Sequence, residues 1–271
     1  MKILLDTPLF ARLIPNIILT LRRRQYCAKV ARILQDMEEA NTCVMKDKDI
    51  PRGVLRVGMP VAFGRLHVAP VLQEFLKQYP EVKLELQLSD SSTNLVEDGL
   101  DVVIRIGNLE RFESALIVHK LAEHTRLVCG SPRYFIQHGK PRHPNELAKH
   151  NCLLFAYAAE AWIWRFQRQT ETCEVNVAGS VVANNLELLR QLCLDGAGLI
   201  LVPTWLIGED ICFGRLQAVL TDCQVFPKAE ADVGIYALYA PNHRYSLQVQ
   251  TFIDFLAQRF GTPPYWEKIR I

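Results

Sequence analysis

From residue 54 onward, short apolar runs alternate with amphipathic stretches, and this alternation restricts the fold more than any other feature of the sequence. Val54–Met59 reads as a buried strand. Phe63–Tyr79 carries Leu66, Ala69, Leu72, Phe75, Leu76 and Tyr79 at helical spacing, with Pro70 bending or delaying its start and Tyr79-Pro80 ending it. Val82–Leu88 alternates, with Val82, Leu84, Leu86 and Leu88 on one face. A short helix over Ser92–Asp98, closed at Gly99, leads into a third strand, Asp101–Ile106. A β-α-β-α-β order implies a parallel sheet with right-handed crossovers, so the expected class is α/β.

The pattern continues. Leu116–Leu121 and Arg126–Gly130 read as strands, and Ser131-Pro132 starts a helix as N-cap and first helical residue. After the turn-rich connector Gly139–Pro144, strands are expected at Cys152–Phe155, Trp162–Phe166, Glu174–Val182 and Leu199–Val202. A helix over Asn184–Asp195, capped by Asn184, ends at Gly196-Ala197-Gly198. Val233–Tyr239 is a strand, and Tyr245–Phe260 is an amphipathic helix with Val249, Phe252, Ile253, Leu256 and Phe260 inward.

Residues 22–47 are organised differently. Cys27, Val30, Leu34, Met37, Asn41 and Val44 recur at alternating spacings of three and four, a narrow seam suited to pairing with one partner helix. Asn41 on that seam favours a single register. The polar stretch Lys46–Gly53, with Pro51, then makes a hinge. Basic charge is concentrated here: residues 1–53 hold ten Lys/Arg against six Asp/Glu, and Arg12, Arg22, Arg23 and Arg24 are candidates for phosphate contact. The longest uncharged run in the first 25 residues, Leu13–Leu21, is too short for a membrane span, and Arg22–Arg24 stand where a signal peptide would need small residues. A cytoplasmic location is expected.

Apolar residues at 49% and charged residues at 22% exclude disorder, and a net charge of +2 excludes a surface basic throughout. None of the eight cysteines forms a C-x-x-C, and most lie in apolar stretches, as small hydrophobes of a reducing compartment do. The histidines are scattered, so no metal site is expected, and no cofactor is implied. There is no G-x-G-x-x-G after a strand, P-loop, H-E-x-x-H or G-x-S-x-G, which disfavours catalysis.

What remains is ligand binding at strand-to-helix junctions, where helix starts offer unpaired N–H groups. Five junctions qualify: Pro60–Phe63, Ser89–Ser92, Arg105–Gly107, Asn184-Asn185 and Pro203–Trp205. Each alone is compatible with turn or capping chemistry, so the argument depends on their convergence. Arg105 is the most telling, because a charge at the end of Val102–Gly107 requires a partner or a cleft. Asp90 and Asp101 are possible structural partners.

Residues 26 to 260 resemble a LysR-type transcriptional regulator. Tyr26–Ala40 is similar to that family's linker helix, and Pro51–Val57 to the start of its effector domain. Leu95–Gly107, Cys129–Tyr134, His138–Pro141, His150–Leu153, Asp195–Leu199 and Gly214–Leu216 continue the resemblance in order. It is closest to members that respond to small carboxylates or aromatic compounds. The resemblance implies two Rossmann-like lobes, as in type 2 periplasmic binding proteins, preceded by a long linker helix. The boundaries implied are 1–21 for a remnant of a winged-helix wing, 22–47 for the dimerisation helix, 54–131 with 234–271 for lobe I, and 132–233 for lobe II. Effector contacts would be Val61, Ala62, Phe63, Ser89, Arg105, Asn184, Asn185 and Pro203. Implied partners are a small-molecule effector such as an organic acid, a second copy in a homodimer or tetramer, and DNA.

The N-terminus departs from the family. Thr7–Arg12 and Leu19-Thr20 resemble the wing's entry and its exit, but Leu13–Ile18 replaces its Arg- and Ser/Thr-rich part. The helices that would enter the major groove are missing ahead of it. Two further readings therefore stand beside a regulator lacking most of its DNA reader. One is a stand-alone effector-binding or dominant-negative partner. The other is a periplasmic solute-binding protein, which the pairing helix and the missing signal peptide oppose.

Overall fold

The computed structural model describes residues 10–12, 17–19, 50–90, 98–108, 115–156, 162–227 and 233–268, together with Val30 and Leu95. Two five-stranded sheets organise it. The first has the order β4-β3-β5-β15-β6, formed by β3 (Gly53–Met59), β4 (Val82–Leu88), β5 (Val102–Asn108), β6 (Ile117–Glu123) and β15 (Val233–Tyr239). As the alternation implies, β3 lies parallel to both β4 and β5. The return strand β15 is antiparallel to its neighbours β5 and β6.

The second sheet has the order β11-β8-β12-β7-β13, from β7 (Arg126–Gly130), β8 (Cys152–Phe155), β11 (Val182–Ala183), β12 (Leu199–Pro203) and β13 (Gln217–Val219). A three-stranded sheet, β10-β9-β14, adds β9 (Ile163–Arg168), β10 (Glu171–Asn176) and β14 (Gln224–Pro227). Near the N-terminus, β1 (Phe10–Arg12) pairs antiparallel with β2 (Ile17–Leu19). The expected first lobe ran to residue 131, but β7 belongs to the second sheet: Leu127, Val128 and Cys129 pair with Val202, Leu201 and Ile200. The chain therefore passes from one sheet to the other in two residues, His124 and Thr125. The single strand expected over Glu174–Val182 is broken, because Gly179 passes so close to β8 that a Cβ there would lie 1.9 Å from the Cys152 carbonyl oxygen.

Three consecutive segments, Val61–Phe63, the π turn Gly64–Val68 and Ala69–Gln78, form one helix, α1. It starts two residues earlier than its apolar spacing suggests. Pro70 has no N–H and its ring crowds the carbonyl four residues back, so the turn before it widens. Ala69 N–H accordingly donates to Gly64 O, five residues away. The other helices are α2 (Pro132–His138), α3 (Leu186–Leu194), α4 (Thr204–Cys212) and α5 (Leu247–Phe260). Ser131 caps α2 as expected, accepting from Tyr134 N–H.

Leu55, Val57 and Met59 of β3, Phe75 of α1 and Val249, Phe252, Ile253 and Leu256 of α5 form one core. The apolar face expected for β4 is buried only at its start, since Leu86 and Leu88 remain 39% and 43% exposed. β4 is the edge strand of its sheet. Across the second sheet, Asp210 of α4 is fully buried and accepts from Arg190 of α3 (Nε 2.5 Å, Nη2 2.8 Å) and from Arg215 Nε (2.8 Å). A buried carboxylate is tolerable only with such partners. Here the two guanidiniums tie α3, α4 and the loop into β13 together. Among the described residues, no helix is long and apolar enough to cross a membrane.

Candidate functional site

Sheet register brings three of the junctions level. Met59 pairs with Leu88, and Gly58 pairs with Val103, which sets Met59 level with Ile104. Arg105, half-buried, is therefore level with Pro60 and, one strand further across, with Ser89; it lies within β5, which runs on to Asn108, and is not at the expected strand end. Ser89 N–H donates to Met59 O (3.0 Å) and holds that strand end to its neighbour. On the other side Arg105 lies opposite Tyr236 of β15.

Asp90 joins the junctions of both sheets. Its Oδ1 accepts from Val61 N–H at the start of α1 (3.0 Å), and its Oδ2 accepts from Asn185 Nδ2 (3.4 Å). Asn185 is the N-cap of α3, its Oδ1 accepting from Leu188 N–H (2.9 Å). The expected cap, Asn184, is exposed and does not fill that role, because the helix begins one residue later. Asp90 thus contributes a negative charge at the start of α1, where the peptide dipoles favour one. Beside this contact Arg65 of α1 makes an ion pair with Glu187 of α3.

The fifth junction meets the first through aromatic packing. Phe63 packs edge-on against Trp205 of α4 (5.5 Å between ring centroids), Phe260 (5.6 Å) and Trp266 (6.0 Å). His67, one helical turn on, is buried among Phe63, Trp205, Tyr265 and Trp266. Its Nε2–H donates to Trp205 O (3.0 Å), which leaves Nδ1 to accept from Tyr265 O–H (2.5 Å). Burial lowers its pKa to about 4, partly offset by the bond to Trp205 O, so the ring is neutral. At the crossover, burial, with the Arg126 charge beside it, lowers His124 to about 3.

The expected residues therefore divide into groups. Val61 and Asn185 bond Asp90, Ser89 precedes it in the chain, and Arg105 lies level with Ser89 across β3. Ala62 and Pro203 are buried beside the junctions they belong to. Phe63 is a correction: it is completely buried, and its ring is committed to core packing. Asp101, a possible partner for Arg105, accepts from Arg56 N–H (2.8 Å). On the proposed pairing seam, Val30 is helical and half-buried. Cys27, Leu34, Met37, Asn41 and Val44 lie outside the described residues, as do Arg22, Arg23 and Arg24; Arg12 lies in β1. Sequence reasoning missed Arg65, His67, Glu187 and helix α4. The signal for α4 was present in Pro203 at its N-cap and Gly214 just beyond its end, at φ +69°.

Two α/β sheets, a two-residue crossover and junctions bonded through Asp90 define a two-lobed α/β protein of the kind that binds ligands beyond its strand ends. The LysR substrate binding domain matches residues 48–261. The HTH-type transcriptional regulator DmlR of Escherichia coli (strain K12) is 32% identical over 231 residues, 85% of this chain and 73% of that protein. CrgA of Neisseria meningitidis, also an HTH-type transcriptional regulator, is 32% identical over 245 residues, 90% of this chain and 79% of that protein. The solved structure of CrgA superposes with a TM-score of 0.67 at 29% identity, covering 93% of this chain and 84% of that one. The chain belongs to the LysR-type transcriptional regulators, and it is a ligand-responsive regulator built on the two-lobed fold of type 2 periplasmic binding proteins.

Proposed function

We propose that the effector is a small organic acid with an apolar body, bound between the lobes where Val61, Ala62, Ser89, Arg105, Asn184, Asn185 and Pro203 line the junctions, with Phe63 as buried support. The observation that carries this reading is the bridge from Val61 through Asp90 to Asn185, which brings junctions of both sheets to one place. Asp90 refines the chemistry. Its carboxylate already accepts from the start of α1, so the effector's own carboxylate pairs with Arg105, and its apolar body lies toward Ala62 and Pro203. Thermal-shift measurements with succinate and benzoate as probes test this. Arg105→Ala should abolish a shift that the unchanged chain shows; a shift of equal size in the variant refutes the assignment.

The regulator acts in the cytoplasm as a homodimer or tetramer, without catalysis. Its subunits pair through the seam Cys27, Val30, Leu34, Met37, Asn41 and Val44, and Leu34→Lys with Met37→Lys should shift the chain to a smaller species by light scattering. Arg12, Arg22, Arg23 and Arg24 contact DNA phosphates. Their replacement by Gln should then flatten the salt dependence of DNA binding without changing sequence preference.

A further inference from the structure

The chain passes between the lobes at His124-Thr125 and again between β14 and β15, and the first of these crossovers is held by the residues after α5. The segment after α5 forms a single 3-10 turn, Tyr265–Glu267. Trp266 is buried and donates from Nε1 to Glu123 O (3.2 Å), at the end of β6. Tyr265 bonds His67 of α1. Glu267 places its carboxylate on the crossover itself. Oε1 accepts from Thr125 N–H (2.8 Å) and from Thr204 Oγ1–H (2.5 Å), and Oε2 accepts from Thr125 Oγ1–H (2.7 Å). Thr204, the first residue of α4, also donates its N–H to Thr125 O (2.9 Å). One carboxylate thus binds the two-residue crossover and the first turn of a helix in the other lobe.

We propose that Tyr265–Glu267 is a lock on the interlobe crossover, with Glu267 as its key residue, and that it fixes the resting angle between the lobes. A two-residue link has few dihedrals through which the lobes can turn, and Glu267 immobilises those of Thr125. Trp266 anchors the lock to the first lobe, and Thr204 carries its hold to the second. Any change in lobe geometry must therefore bend or release this contact. The inference is independent of what binds between the lobes.

Hydrogen exchange on the full chain tests it. The Thr204 amide is informative because its acceptor is Thr125 O, not the tail. In Glu267→Ala, exchange at the amides of Thr125 and Thr204 should rise at least about tenfold, as expected for losing hydrogen bonds to a charged group. Glu267→Gln keeps one acceptor oxygen and an amide that can donate to a hydroxyl, so it should retain most of the protection. The proposal is overturned if exchange in Glu267→Ala rises only within residues 262–268 while Thr125 and Thr204 stay protected. It is equally overturned if Glu267→Gln exchanges as fast as Glu267→Ala.

Discussion

Acidification should destabilise this protein through two histidines that the fold keeps neutral. His67 and His124 have folded pKa values of about 4 and about 3, against an ordinary value of 6.5. Between those values and 6.5 the unfolded chain binds a proton that the folded chain refuses, so stability rises with pH across this window. The contribution is complete above the unfolded value and is lost as pH falls below it. At pH 5, linkage gives a loss of about 2 kcal/mol for each histidine, or about 4 kcal/mol together. That is a large part of the ~5–15 kcal/mol typical of a folded protein. Urea unfolding followed by far-ultraviolet circular dichroism, at about pH 8 and about pH 5, measures the difference. In His67→Gln the amide can still donate to Trp205 O and accept from Tyr265 without titrating, and the loss should shrink by about 2 kcal/mol. An unchanged loss in that variant, or a His67 ring proton titrating near its ordinary value by NMR, would refute the reasoning.

Three further outcomes are expected. Asp210→Ala leaves Arg190 and Arg215 without their buried acceptor; because both guanidiniums reach solvent, the loss of stability should be about 1–3 kcal/mol in a thermal or urea unfolding series. Gly179→Ala forces a methyl against the Cys152 carbonyl, so β8 or the segment beside it must shift. A loss of about 1–3 kcal/mol or more is expected by the same assay. A thiol reagent on the folded chain, read by mass spectrometry of peptides, should modify exposed Cys212 well before buried Cys129, Cys152 and Cys193. Burial pushes the Cys152 thiol up to about 12 and raises Cys129 too, so neither supplies thiolate near neutrality.

Much of the fold could be read from hydrophobic period, because strands and helices that bury one face carry that face in their spacing. β7, β8 and β15 fall at the expected residues, and α5 within two residues of its expected start. Two kinds of feature escaped. One is strand pairing: nothing in Arg126–Gly130 distinguishes a strand that continues the first sheet from one that opens the second. The other is the set of contacts between residues far apart in sequence. Arg65 and Glu187, or Thr125 and Glu267, are ordinary polar residues until the fold brings them together. The strand-end positions of Val61, Ser89 and Asn185 were legible, because turn and capping residues after strands mark where helix starts gather; Arg105 was expected at a strand end, but β5 continues through it to Asn108. Phe63 was misassigned because it occupies a junction, and only its neighbours His67, Trp205, Phe260 and Trp266 show that its ring belongs to the core.

The most direct test of the central claim is hydrogen exchange of the unchanged chain with and without whichever probe acid raises its melting temperature. If the effector binds where the junctions of the two sheets meet, protection should increase together at residues 60–65, 89–90, 105–107 and 184–188. The same acid should produce no such change in Arg105→Ala. Protection confined to a single lobe, or appearing undiminished in Arg105→Ala, would contradict the account.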